Sequence, residues 1–140
     1  MFRMLRRKSK PVFPSDPAIP TTPTNYPYGL CIQTEAGYFL MREKFRFRIP
    51  TERVLESWSF NVIQSSEAAV KHIKVGGKIG FRDGTIIHNM ADGKHYLISQ
   101  NKRRHIVDPD VWERFGLDWG NVILVSEEEA NLHNDGEVLK

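Results

Sequence analysis

Histidine, cysteine and tryptophan are the residues of this 140-residue chain with the most chemistry to offer. His72, His88, His95, His105 and His133 fall in no Cys/His or HExxH spacing of the kind that holds zinc. His88 and His95 can face each other across the Asp92-Gly93 turn. At an internal offset of 57 residues, described below, their counterparts are Cys31 and Tyr38, which argues against a metal pair. Asp108 and Asp110 are spaced as paired carboxylates, but Asp108-Pro109-Asp110 is also the signature of a helix start, where both acids compensate the dipole. Gly76-Gly77-Lys78 lacks the flanking spacing of a phosphate-binding loop and reads as a linker. No GxSxG elbow and no nucleophilic Cys/His pair is present. Cys31, the single cysteine, sits in Leu30-Cys31-Ile32 and reads as a small core residue. Trp58 and Trp112 lie on apolar helical faces and belong to a core, whereas Trp119 is the tryptophan freest to be exposed as a stacking platform. These residues give no catalytic constellation, no metal set and no cofactor site, and the chain reads as non-enzymatic.

Two features point to binding instead. Residues 1–10 carry Arg3, Arg6, Arg7, Lys8 and Lys10 with no acid, and Pro11, Pro14, Pro17, Pro20 and Pro23 follow at every third position. Polyproline II has about three residues per turn, so these prolines line one edge of an extended rod, spanning roughly 37 Å at about 3.1 Å per residue. Residues 1–28 are therefore expected to be a basic, proline-spaced arm. Its cations suit phosphates or an acidic protein surface, and Lys8-x-x-Pro11-x-x-Pro14 fits an aromatic-lined polyproline groove. The second feature is a mismatch between two internal copies. Phe45 and Phe47 in the first copy are replaced by Lys102 and Arg104 in the second. Either the two packed units simply have one inner and one outer sheet face, or Phe45 and Phe47 cover a partner or the sister copy while Lys102-Arg103-Arg104 forms a basic hairpin edge.

The elements that position these residues are duplicated. Phe39-Leu40, Arg46, Ile49, Val54-Leu55 and Trp58 return 57 positions later as Tyr96-Leu97, Arg103, Ile106, Val111-Trp112 and Phe115. Three extra residues then intervene, and Asn61-Val62-Ile63 with Ser66-Glu67 returns as Asn121-Val122-Ile123 with Ser126-Glu127. Each unit, 29–80 and 81–140, reads as a three-stranded meander, a short helix, an extended piece and a second short helix. Phe45 to Ile49 alternates as a half-buried strand does. Asp108 with Pro109 opens a helix that Gly116 ends, Ser66 caps another helix, and Ser126-x-x-Glu129 is a capping box. Ala69 through Ile73 is expected to remain helical, with Gly76-Gly77 and Gly80 breaking the chain before the second unit. The predicted class is α+β and strand-rich, two tandem units packed on each other because neither is large enough for a secure core alone.

Composition bounds the rest. Net charge is +3, the apolar fraction is 40%, and residues 126–140 carry five acids against Lys140 alone. One cysteine allows no internal disulfide. No apolar run approaches a transmembrane length, and the basic start lacks the apolar region of a secretory signal. The expected setting is synthesis in a cytoplasm, with no membrane partner.

Lys102-Arg103-Arg104-His105-Ile106, Asp108-Pro109-Asp110-Val111-Trp112, Gly116, Trp119 and Val125-Ser126 together resemble a short repeat of tailed-bacteriophage virion proteins and bacterial surface-associated proteins. The likeness covers residues 84–139 well and residues 29–80 weakly, since Phe45, Phe47 and Ser59 depart from it. It brings no catalytic residues with it and implies binding or assembly. The expected function is a structural component of a phage virion, in the capsid, the head–tail connection or the tail. Its arm would clamp neighbouring virion subunits, copies of itself among them. The alternatives are nucleic-acid binding through the arm and the Lys102–Arg104 edge, and a cell-wall or glycan-binding repeat.

Overall fold

The computed structural model describes residues 18–140. The fold is strand-rich α+β, with the same topology drawn twice. In the first unit β1 (Cys31–Thr34), β2 (Gly37–Met41) and β3 (Phe45–Ile49) form the antiparallel meander. After helix α1 (Glu52–Glu56), β4 (Val62–Gln64) lies parallel to β1. After helix α2 (Glu67–Val70), β5 (Lys74–Lys78) lies parallel to β3, which completes the order β4-β1-β2-β3-β5. The second unit repeats it with β6 (Ile86–Asn89), β7 (His95–Ser99), β8 (Lys102–His105), α3 (Pro109–Phe115), β9 (Val122–Val125), α4 (Glu127–Ala130) and β10 (Asn134–Asp135). Its order, β9-β6-β7-β8-β10, is the first order renumbered.

The helix starts follow the caps in the sequence. Thr51, Ser66, Asp108 and Ser126 each accept a backbone N–H from the first turn, and Glu129 closes the capping box on Ser126. Gly116 ends α3 in the left-handed region, at φ 65°. Gln100 and Asn101 both have positive φ, the requirement of a two-residue hairpin turn whose twist matches its strands.

Four expectations are corrected. The second helix of unit 1 stops at Val70, and Gly76-Gly77 beyond it are not a linker but lie inside β5. A Cβ on Gly76 would stand 3.0 Å from Phe45 Cβ and 3.1 Å from Phe47 Cζ, so only glycine lets β5 run across those rings. Gly136 does the same over Lys102 and Arg104 in unit 2. Lys102-Arg103-Arg104 is not an edge, because β10 and residues 136–139 cover β8 on its outer side. The 57-residue offset also fails before the first hairpin. That turn is longer in unit 2, so Cys31 corresponds to Ile86, each paired with the same leucine of the next strand, and His88 corresponds to Gln33.

The central core is a seam between the units. It joins Cys31, Leu40, Ile49 and Val54 of unit 1 to Ile87, Tyr96, Ile98, Val125 and Ala130 of unit 2. Thr51 donates to the Glu129 carboxylate across it at 2.7 Å, and Arg53 reaches the other oxygen at 2.8 Å. Each sheet keeps a second apolar face outside the seam, Ile32, Phe39, Met41, Ala69 and Val70 in unit 1 and Ile86, Ile106, Val111 and Trp112 in unit 2. The first of these is covered by the end of the expected arm. Ser66 donates to the Pro20 carbonyl, the Thr24 N–H to the Ala69 carbonyl at 2.9 Å, and Tyr26 to Ser65 at 2.8 Å. Packing therefore begins at Pro20 and not at residue 29.

Candidate functional site

The mismatch between the copies builds two equivalent grooves with opposite chemistry. In unit 1, β3 presents Phe45 and Phe47 to the same side, edge to face with centroids 6.4 Å apart, over the glycine stretch of β5. With Tyr28, Arg42, Lys78 and Ile79 they line an open cleft of roughly 530 Å³. Arg42 lies over the Tyr28 ring at 5.3 Å and donates to its hydroxyl. Phe45 is 42% exposed, a large ring left in water on a charged rim. In unit 2 the same position carries Lys102 and Arg104 beside Ser99, Gly136 and Glu137, in a smaller cleft of roughly 200 Å³. Arg104 is spent partly on the Glu137 carbonyl at 2.9 Å, so Lys102 is the more available cation. The Phe45/Phe47 and Lys102/Arg104 pairs are thus each brought together, but in separate grooves.

Arg103 belongs to neither. Alternation along β8 turns it to the opposite face, where it lies over the Tyr96 ring at 5.0 Å and bonds Asp135 at 2.7 Å and Asn131 at 3.0 Å. Arg46, its counterpart, lies over Phe39 at 4.5 Å and grips both oxygens of Glu67. These arginines hold the fold. Pro20 and Pro23 lie in the docked segment. Arg3, Arg6, Arg7, Lys8, Lys10, Pro11, Pro14 and Pro17 fall outside the described residues.

An aromatic patch completes the surface of unit 2. Trp119 stacks on the buried Trp112 with centroids 3.5 Å apart and is itself 58% exposed, as its place in the insertion suggested. His95 meets both indoles edge-on, and His88 stacks on His95 at 4.2 Å. The two imidazoles face each other as expected, ring on ring. Burial, with His88 and His105 nearby, holds His95 below the ordinary imidazole range. Among the described residues no cluster of three His, Cys, Asp or Glu side chains is placed to hold a metal. No helix of them is long and apolar enough to cross a membrane. Cys31 is a core residue whose thiol burial pushes up to about 11, far from a reactive thiolate.

Sequence reasoning missed His133. The ring is buried; its Nδ1 donates to the Asn101 carbonyl at 2.9 Å, and its Nε2 accepts the Phe81 N–H at 2.9 Å. This pairing requires the neutral ring, and burial accordingly lowers its pKa, outweighing the bond to Asn101 and the charge of Asp83. Below the ordinary value of 6.5 the unfolded chain binds a proton that the folded chain refuses. Stability should therefore be whole above that pH and fall as pH drops towards the lowered folded value, by up to about 1.4 kcal/mol per pH unit. Urea unfolding at pH 7.5 and 5.5 checks this, and His133→Gln should reduce the slope, the lowered His95 leaving a part of it. Equal stability of the natural chain at the two pH values would contradict it.

Family models, curated proteins and solved structures return no match to this chain.

Proposed function

We propose that this chain is a non-enzymatic assembly protein of a bacteriophage virion, in the capsid, the head–tail connection or the tail, that grips neighbouring subunits with its N-terminal arm. The observation that carries this reading is the docking of residues 20–26. A proline-spaced segment is held on the outer face of unit 1 by backbone and side-chain hydrogen bonds, and in the sequence a basic run precedes it. Proline lowers the ordering entropy that such a clasp must overcome. The remaining polar side chains discussed above are largely engaged in caps and internal ion pairs, and the exposed groups that remain suit contact better than bond chemistry.

Deletion of residues 1–17 tests it. The cut spares Pro20, Thr24 and Tyr26, so unit 1 keeps its cover. The shortened chain should keep its melting temperature and be lost from purified particles, by a drop of roughly tenfold or more in copies per particle by mass spectrometry. Normal incorporation would overturn the arm's role. Lys102 and the Arg-rich lead-in support a second reading, nucleic-acid binding. Retention of DNA or RNA that falls steeply between about 50 and 200 mM salt would favour it.

A further inference from the structure

We infer that the cleft of Tyr28 and Phe45 binds single-stranded nucleic acid, stacking bases on its rings and holding phosphates at its rim. Such a site goes beyond assembly, and it needs neither the N-terminal arm nor Lys102.

The rings are not there for the fold. In unit 2 the same strand carries Lys102 and Arg104 in place of Phe45 and Phe47, and it pairs in the same way with a strand that a glycine lets pass close by. The sheet therefore closes without the aromatic pair. Phe45 is nevertheless 42% exposed and Tyr28 63%. Large rings grouped in water around a cleft mark a contact surface.

Both platforms are held in place. Phe47 meets Phe45 at 62° and props it edge-on. Arg42 lies over the Tyr28 ring and donates to its hydroxyl. A ring fixed beforehand loses little freedom when a base settles on it. The cleft, at roughly 530 Å³, has room for a nucleotide-sized group.

Charge selects the ligand. Arg42, Lys44 and Lys78 line the cleft with Glu43 as its one acid, and Lys74 stands beside Phe45 where β5 pairs with β3. Among the described residues none of these four cations is in an ion pair. The counterparts of Arg42, Lys44, Lys74 and Lys78 in unit 2 are Ser99, Asn101, Asn134 and Val138, all uncharged. The rings and their four cations thus occur together in one copy and are replaced together in the other. Aromatic faces for bases within a cationic rim for phosphates are what a single-strand site requires. An aromatic groove alone would also suit a proline-rich peptide. Such a peptide brings no anion to offset the crowded cations, whereas every nucleotide brings one.

Fluorescence anisotropy of the purified full chain with a labelled oligothymidine of about eight nucleotides tests the site. The single strand should bind more tightly than a duplex of the same length, because paired bases offer no face to a ring. Attraction by charge alone favours the duplex. Phe45→Ala should weaken binding of the strand at least about tenfold, and Tyr28→Ala, outside the sheet, at least about fivefold. An abasic strand keeps the phosphates and lacks the bases, so neither substitution should change its affinity by more than about twofold. Phe45→Trp keeps a platform and should bind like the natural chain. Lys102→Ala, in the other groove, should leave the strand bound. Preference for the duplex, or equal losses on the abasic and ordinary strands, would overturn the inference. So would an affinity that falls with Lys102→Ala and not with Phe45→Ala. Failure to bind the strand at about 50 mM salt would also overturn it, and binding of a proline-rich peptide that Phe45→Ala abolishes would then give the cleft to that ligand instead.

Discussion

Gly80→Ala should cost roughly 3–5 kcal/mol, the largest effect of any single methyl group in this protein. The added Cβ would stand 2.4 Å from His133 Nε2 and 2.5 Å from its Cε1. A flexible side chain would swing away, but this ring is buried and bonded at both nitrogens. Moving it orphans the Phe81 N–H and the Asn101 carbonyl, and Gly80 itself is fixed by Trp58 Nε1 on its carbonyl at 3.0 Å. The strain therefore falls on the joint between the units. Against a total stability of about 5–15 kcal/mol, the melting temperature should drop by roughly 10–20 °C. Gly120→Ala on the exposed turn after α3 is the control and should move it little. In the Gly80→Ala/His133→Ala double variant the clash has no object, so the double change should cost little more than His133→Ala alone. Melting of Gly80→Ala within a degree or two of the natural chain would refute this account.

That joint was not legible in the residues, for a physical reason. Glycine shows no periodicity, so Gly76-Gly77 and Gly80 read as breaks, when the first pair lets β5 cross two phenylalanines and the third makes room for a ring 53 positions away. What was legible is local. The meanders, the caps at Ser66, Asp108 and Ser126 and the stop at Gly116 depend on neighbours a few residues distant. The duplication was legible because insertions fall in turns and leave the core spacing intact. Which face of each sheet meets the other unit was hidden, because β1, β2 and β6 are apolar on both faces: Cys31-Ile32, Phe39-Leu40 and Ile86-Ile87 show no alternation. The basic run on β8 did carry a usable signal. A period of two separates Arg103 from Lys102 and Arg104, and the structure divides them in that way.

The two equivalent arginines should differ in worth despite identical placement. Arg46→Ala should cost about 3 kcal/mol and Arg103→Ala about 1. Both lie over an aromatic ring of the neighbouring strand, Phe39 and Tyr96, so that contribution largely cancels between them. The difference is in the anion. The Arg46 side chain is 7% exposed and grips Glu67, 33% exposed, through two parallel bonds of 2.8 and 2.9 Å, while its Nε holds the Ile73 carbonyl. Arg103 meets Asp135, which is 74% exposed, through one bond, and water replaces that partner readily. The bond from Arg46 holds the Glu67 carboxyl below its ordinary value, against the opposing pull of burial and with help from Thr34. A depressed carboxyl contributes stability that is present above the unfolded value near 4.5 and is lost as pH falls through the folded one. Arg46→Ala should therefore weaken the chain at pH 7 and flatten its acid sensitivity, and Arg103→Ala should do little of either. Urea titrations of both variants at pH 7 and pH 3.5 measure the contrast. Equal losses would mean that the aromatic contact, common to both copies, dominates, and that the carboxylate beneath Arg46 is dispensable.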